Sequence, residues 1–112
     1  MTTIWHNPRC SKSRQTLALL EENGVQAKIR VYLKERPTEA ELRETLAKLG
    51  VTAAQIVRTG EKTFKDLELK NADDDTLIAA MVSNPILIER PIVIKGDKAV
   101  VGRPPENVLS LL

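Results

Sequence analysis

The sequence has 112 residues, which predicts one domain with an ordinary hydrophobic core. Its 17 basic and 15 acidic residues leave a formal charge of +2, and three aromatic residues are too few for a base-stacking surface, so nucleic-acid binding is not expected. No segment offers the roughly 20 apolar residues of a membrane span, no signal peptide is recognisable, and a lone cysteine predicts a reducing, cytoplasmic setting.

The first part of the chain predicts a strand, a helix and a second strand. Residues 2–5 are apolar and β-branched, and the Asn-Pro pair at 7–8 ends this strand. A helix is expected from residue 11 to Gly24, which suits the left-handed position after a helix, and a second strand over 27–33. This order predicts a right-handed parallel βαβ unit.

A helical block is expected in the middle of the chain, over about residues 34–88. Four segments have helical patterns: 36–50, 53–57, 63–67 and 73–85. The first is marked best, because Thr38 and Glu41 predict a capping box and Gly50 predicts its end.

The C-terminal part predicts two strands and a short helix. The β-branched runs 92–94 and 99–101 flank Gly96-Asp97, which favours a two-residue hairpin turn, and a helix is expected over 103–112. The whole chain, 1–112, is therefore expected to form one α/β domain. Its mixed four-stranded sheet would carry the helical block between a βαβ unit and a ββα unit.

The only histidine and the only cysteine, His6 and Cys10, lie in the segment HNPRCSKSR. Cys10 falls at the start of the first predicted helix, where unpaired backbone N–H groups and the helix dipole favour the thiolate. The neighbouring cations act in the same direction: Arg9, Lys12 and Arg14. These features favour a reactive thiol over a packed, inert one. For His6, both proton transfer and simple packing are open.

Spacing argues against three other cysteine chemistries. A cysteine phosphatase loop has arginine six residues after the thiol, where this chain has Thr16. A dithiol redox motif has a second cysteine where this chain has Ser13, and a zinc site needs more Cys or His ligands than the chain contains. What remains is one activated thiol with an external reductant.

The segment HNPRCSKSRQTL resembles the H-N-P-x-C-x-x-S-R-x-T-L signature of glutaredoxin-coupled arsenate reductases, the ArsC family. Residues 56–69 and 84–112 are similar to the family's central arginine segment and to its C-terminal half, so the resemblance covers essentially the whole chain. It implies a thioredoxin/glutaredoxin-like fold. One departure is Ser11-Lys12, where many members have Gly-Thr, and it places an additional cation close to the thiol.

The resemblance implies that Cys10 is the catalytic nucleophile and that His6 helps to set the ionisation of its thiol. Three arginines are implied to bind the oxyanion: Arg58, Arg90 and Arg103. The supporting residues are Ser13, Arg14 and Pro91, and Pro91 stands where thioredoxin-like folds place a cis proline. Other cations are expected to be solvated surface charges, among them Lys34, Arg36, Arg43 and Lys48.

The implied activity is arsenate reduction, in which Cys10 attacks arsenate or a similar oxyanion and external glutathione and glutaredoxin complete the reduction to arsenite. Glutathione would be a co-substrate, and no bound cofactor or metal is expected. A cytoplasmic monomer without nucleic-acid or membrane partners is predicted. Two alternatives are open: a thiol oxidoreductase acting on glutathione mixed disulfides, and an Spx-like regulator that binds RNA polymerase, although most such regulators carry a C-x-x-C motif.

Overall fold

The computed structural model describes all of residues 1–112. Its four strands are β1 (Thr2–Trp5), β2 (Lys28–Arg30), β3 (Ile92–Lys95) and β4 (Lys98–Val101). Its α-helices are α1 (Ser11–Glu22), α2 (Glu39–Leu49), α3 (Ala53–Ile56), α4 (Lys62–Asp66) and α5 (Asp74–Ser83), and 3₁₀ segments cover Pro85–Leu87 and Pro105–Leu111. Two compact units are present: unit 1 combines Met1–Glu35 with Arg90–Leu112, and unit 2 is Arg36–Glu89.

Unit 1 contains the sheet, whose strand order is β2-β1-β3-β4. Strand β1 pairs parallel with β2 and antiparallel with β3, so that Ile4 lies opposite both Ile29 and Val93. Strands β3 and β4 form an antiparallel hairpin, and Gly96 in its turn has a φ of +59° that favours glycine. The predicted α/β class and mixed four-stranded sheet are confirmed.

The core of unit 1 joins the sheet to its two longer helical segments. Ile4 of β1, Leu20 of α1, Val93 of β3 and Val108 of the C-terminal 3₁₀ segment form one fully buried cluster. Burial of each such side chain stabilises the fold by about 1.5–3 kcal/mol. This cluster holds α1 against the sheet, and with it the start of α1 where Cys10 lies.

Unit 2 is helical, with α2 and α3 packed against α5. Its buried apolar side chains include Leu42, Leu46, Ile56, Leu77, Ile78 and Met81. The predicted capping box of α2 is present: the Glu41 N–H donates to Thr38 Oγ1 (3.1 Å) and the Thr38 N–H donates to Glu41 Oε1 (3.0 Å). Gly50 ends the helix with a φ of +70°, as predicted.

Two sequence predictions require correction. The strand expected over 27–33 is limited to Lys28–Arg30, because the Val31 carbonyl accepts N–H groups of Lys34 and Glu35 and so turns the chain. The last helix, expected over 103–112, is a 3₁₀ segment that begins at Pro105. Pro105 keeps the residue before it, Pro104, in extended geometry (ψ 162°), so the helical segment begins no earlier.

No helix of the structure combines the length and the apolar character that crossing a membrane requires.

Candidate active site

Cys10 occupies the N-cap position of α1, with extended backbone angles. Its carbonyl accepts the Arg14 N–H at 3.0 Å, which begins the helix, while its own N–H donates to the Asn7 carbonyl at 3.0 Å. The side chain makes no capping hydrogen bond and is partly exposed. The thiol therefore lies at the positive end of the helix dipole, at the helix start that the sequence predicted. Its partial exposure leaves it accessible to a reactant.

The Arg103 guanidinium contacts the thiol. Its Nη1 lies 3.8 Å from Cys10 Sγ and donates to the Arg90 carbonyl at 3.2 Å. The structure thus brings together residues that are 93 positions apart in the sequence. At this distance the guanidinium stabilises a negative charge on sulfur.

Pro91 follows a cis peptide bond, as the resemblance implied. A second cis bond, between Arg103 and Pro104, was not predicted. Arg90 is half-buried, and its carbonyl holds the Arg103 side chain.

His6 is buried and makes its ring hydrogen bond with Ser13, not with the thiol. Nδ1 lies 2.6 Å from Ser13 Oγ, which also accepts the Asn7 N–H at 3.0 Å. Burial, and secondarily the positive charge of Arg14, hold the pKa of His6 below its usual value. The imidazole is therefore mainly neutral at pH 7 and adds no positive charge near Cys10.

Arg14 has a structural contact in the same turn. Its Nη1 donates to the Pro8 carbonyl at 2.9 Å, and the side chain is otherwise exposed. This bond links the first turn of α1 to the loop that precedes Cys10.

Arg58 lies in unit 2, where two carboxylates hold its guanidinium. Nε contacts Glu61 Oε1 and Nη1 contacts Glu89 Oε1, both at 3.1 Å. The Arg58 N–H also donates to the Leu87 carbonyl at 2.8 Å. One cation between two carboxylates is a less favourable anion site than Arg103, and no sequence pattern indicated this pairing.

Two residues near the site were not singled out from the sequence. Thr16, fully buried in α1, donates its hydroxyl to the Lys12 carbonyl (2.8 Å) and contacts the Gly102 carbonyl (3.3 Å). Gly102 directly precedes Arg103. Thr16 is part of the signature segment, but nothing in the sequence pairs it with Gly102.

The structure contains no group of three or more His, Cys, Asp or Glu side chains that could hold a metal ion. The groups that the structure places together at Cys10 are the thiol, the Arg103 guanidinium and the start of α1.

Comparison with known proteins gives matches over nearly the whole chain. The ArsC family model matches residues 5–111. The chain is 49% identical to "Arsenate reductase" of Haemophilus influenzae, with 97% of each chain covered, and 48% identical to "Uncharacterized protein YfgD" of Escherichia coli K12, with 97% of this chain and 94% of the relative covered. The solved structure "Arsenate reductase from Vibrio cholerae" is 45% identical and superposes with a TM-score of 0.96, covering 99% of this chain and 97% of the other.

Proposed function

The chain belongs to the ArsC family and has its thioredoxin-like fold, and we propose that it is an arsenate reductase whose nucleophile is the Cys10 thiolate. The observation that carries this proposal is the placement of an accessible thiol at the start of α1 with the Arg103 guanidinium 3.8 Å away. Arsenate is proposed as the substrate because relatives of this chain are named arsenate reductases.

The first step forms a bond between Cys10 Sγ and arsenic. A thiolate and an arsenate oxyanion repel each other by about 4 kcal/mol at 4 Å and an effective dielectric constant near 20. A guanidinium beside the sulfur offsets this repulsion, because it remains charged and donates two parallel hydrogen bonds to an oxyanion. As the S–As bond forms, one As–O bond breaks and its oxygen leaves as water after taking up protons.

The second stage needs an external thiol, because Cys10 is the only cysteine. Glutathione attacks the adduct and displaces a second oxygen as water, so that Cys10 and glutathione are both bound to As(V). Glutaredoxin then attacks the glutathione sulfur, and two electrons pass to arsenic as a disulfide forms between glutaredoxin and glutathione. Water releases arsenite from Cys10 and regenerates the thiol.

Residue roles are assigned with different support. Arg103 and Arg90 bind the oxyanion in this proposal. The contact of Arg103 with Cys10 supports the role of Arg103. Arg58 is included on the resemblance of its segment alone. His6 and Ser13 act by ordering the turn before α1, since a neutral, buried imidazole carries no charge to the thiol.

The activity is tested by arsenate-dependent NADPH oxidation in the presence of glutathione, glutaredoxin and glutathione reductase. The wild-type chain should turn over, and Cys10→Ser should not, because a serine hydroxyl is hardly ionised at pH 7. Absence of arsenate-dependent oxidation in the wild type, under conditions where a known arsenate reductase is active, would refute the proposal. Turnover of a glutathione mixed disulfide instead would establish the thiol-oxidoreductase alternative, and RNA polymerase capture without turnover would establish the regulator.

The arginine roles are tested with a matched control. Arg103→Ala, Arg90→Ala and Arg58→Ala should each lower kcat/KM for arsenate by about 10- to 1,000-fold. Arg43 is the control, because it also contacts two carboxylates, Glu39 and Asp75, on the surface of unit 2. Arg43→Ala should leave kcat/KM unchanged. If Arg58→Ala behaves like Arg43→Ala, then Arg58 has no role in binding the oxyanion.

A further inference from the structure

We propose that Thr16 is a positioning residue that sets the distance between Arg103 and Cys10 Sγ. The proposal rests on the proposed function only in that Cys10 is the reactive thiol. Thr16 is fully buried and lies six residues after Cys10, about 9 Å along the same helix. Its hydroxyl has its hydrogen-bond contacts with Lys12 and Gly102, not with the thiol.

One contact of Thr16 is ordinary and one is not. A hydroxyl bond to the carbonyl four residues earlier, here Lys12, is common in helices and carries no inference by itself. The second contact, to the Gly102 carbonyl, joins α1 to a segment 86 residues away. That segment continues directly into Arg103.

The approach of α1 to Gly102 leaves no room for a side chain at that position. A Cβ atom at Gly102 would lie 2.5 Å from Thr16 Oγ1, 2.9 Å from Thr16 Cγ2 and 2.9 Å from Pro91 Cγ. The Gly102 N–H donates to the Pro91 carbonyl at 2.9 Å. Gly102 is thus held between Thr16 on one side and Pro91 on the other, and its freedom to shift is small.

This arrangement links the two halves of the site. Helix α1 carries both Cys10 and Thr16, and the loop carries both Gly102 and Arg103. The contact between Thr16 and Gly102 therefore fixes the loop relative to the helix. The Arg103 side chain is long and exposed, so its position near sulfur depends on where its backbone is held.

The test compares alkylation of Cys10 by iodoacetate and by iodoacetamide. Both reagents form a carbon–sulfur bond and release iodide, but only iodoacetate is negatively charged. The ratio of the two rate constants therefore reports the positive charge beside the thiolate, independently of how much thiolate is present. Arg103→Ala should lower this ratio about fivefold, the factor for one charge contact near 4 Å in water.

Thr16→Val removes the hydroxyl and keeps the shape of the side chain. It should lower the ratio by at least about twofold, but by no more than the roughly fivefold decrease expected for Arg103→Ala. Thr16→Ser keeps the hydroxyl and should retain the wild-type ratio. In the Arg103→Ala background, Thr16→Val should lower the ratio no further, since its effect is exerted through Arg103. Thr45→Val, a change at a buried threonine of α2, is the control and should leave the ratio unchanged.

An unchanged ratio in folded Thr16→Val would overturn the proposal, as would an equal effect in the presence and absence of Arg103. Gly102→Ala provides a second route if Thr16→Val does not fold, and it should lower the ratio too. Its control is Gly60→Ala, because a Cβ there meets no atom within 4 Å. The measurement contains no arsenate, so failure of the arsenate assay and failure of this inference are distinguishable.

Discussion

At the scale of single residues, the contact between His6 and Ser13 bears on which ring nitrogen of His6 carries the proton. Ser13 Oγ already accepts the Asn7 N–H, so its own proton can be donated to His6 Nδ1 at 2.6 Å. In that arrangement Nδ1 is an acceptor and the ring proton is on Nε2. Protonation of the ring would place a second donor against Ser13 and a positive charge in a buried position.

Stability should consequently fall at mildly acidic pH. The pKa of His6 is lowered by burial and by Arg14, so below the usual value of 6.5 the unfolded chain binds a proton that the folded chain does not. The stabilisation is complete above pH 6.5 and is lost as pH falls towards the lowered folded value. We expect a lower free energy of unfolding in urea at pH 5.5 than at pH 7.5.

Because His6 is the only histidine, a change in stability between pH 5.5 and 7.5 can be assigned to it. His6→Gln, which retains a hydrogen-bonding side chain, should be nearly independent of pH over the same range. A wild-type protein that is equally stable at pH 5.5 and 7.5 would show that His6 is not destabilised in its charged form.

Single residues also show which features of the site could be predicted from the sequence. The position of Cys10 followed from a strand, a break and a helix start, which are all local signals. The contact of Arg103 with the thiol was implied only by resemblance, because 93 residues separate them. The contact of Thr16 with Gly102 had no signal at all, since neither charge nor periodicity pairs a helical threonine with a distant glycine.

At the scale of elements, α1 differs from the other long helices in its charge order. Helix α2 has Glu39 and Glu41 in its first turn and Lys48 in its last turn, which complements the helix dipole. Helix α1 has no acid in its first turn and no base in its last turn. Lys12 instead stands at the N-terminal end, where a cation is unfavourable for stability but favourable for an anionic reactant.

Reversing this charge should change stability and reactivity in opposite directions. Lys12→Glu should stabilise the fold by about 0.3–1 kcal/mol, because an acid in the first turn complements the dipole. The same change should lower kcat/KM for arsenate, because it adds a negative charge near the thiolate. Urea unfolding and the coupled assay measure the two effects.

Lys34→Glu is the matched control, since it alters the net charge by the same amount at an exposed position outside the helices. It should leave kcat/KM near the wild-type value. Equal losses in the two variants would mean that net charge, and not the helix start, governs reactivity.

Element prediction succeeded where a local signal ends each element and failed where a side chain or proline intervened. The capping box of α2 and the hairpin at Gly96 are fixed by residues within a few positions of each other. Strand β2 was predicted too long, because residues 31–33 continue the apolar run beyond Arg30 while the backbone already turns. The Arg30 Nε donates to the Glu35 carbonyl at 3.0 Å across that turn, and no propensity indicates such a bond.

At the scale of the whole molecule, unit 1 is assembled from both ends of the chain. Strand β1 pairs with β3 across about ninety residues of sequence, so the site at Cys10 is complete in unit 1 only after the C-terminal part has folded. Residues 36–89 form unit 2 with a separate helical core. The alternation of strand and helix patterns predicted the sheet, but a pattern contains no information on which distant side chains meet.

A second whole-molecule property is the presence of one thiol in 112 residues, and it makes the order of events in arsenate reduction testable. Without a second cysteine the chain cannot release arsenic by closing an internal disulfide. Arsenate and glutathione supplied without glutaredoxin should therefore leave a covalent product on Cys10. We expect intact-protein mass spectrometry to detect arsenic bound to the chain, with glutathione attached, and peptide mapping to place it at residue 10.

Three variants test whether the arsenic adduct forms on Cys10 with the help of Arg103. Cys10→Ser should carry neither arsenic nor glutathione, and Arg103→Ala should accumulate the arsenic adduct more slowly, because the guanidinium beside sulfur no longer offsets the repulsion between thiolate and oxyanion. Arg43→Ala should accumulate it at the wild-type rate. A wild-type chain that gains glutathione alone, and never arsenic, would be acting as a thiol oxidoreductase, since a mixed disulfide can form on Cys10 without an oxyanion being bound. Arsenate reduction that proceeds without any external thiol would contradict the mechanism outright, because a single cysteine provides only one of the two electrons that As(V) must receive to become As(III).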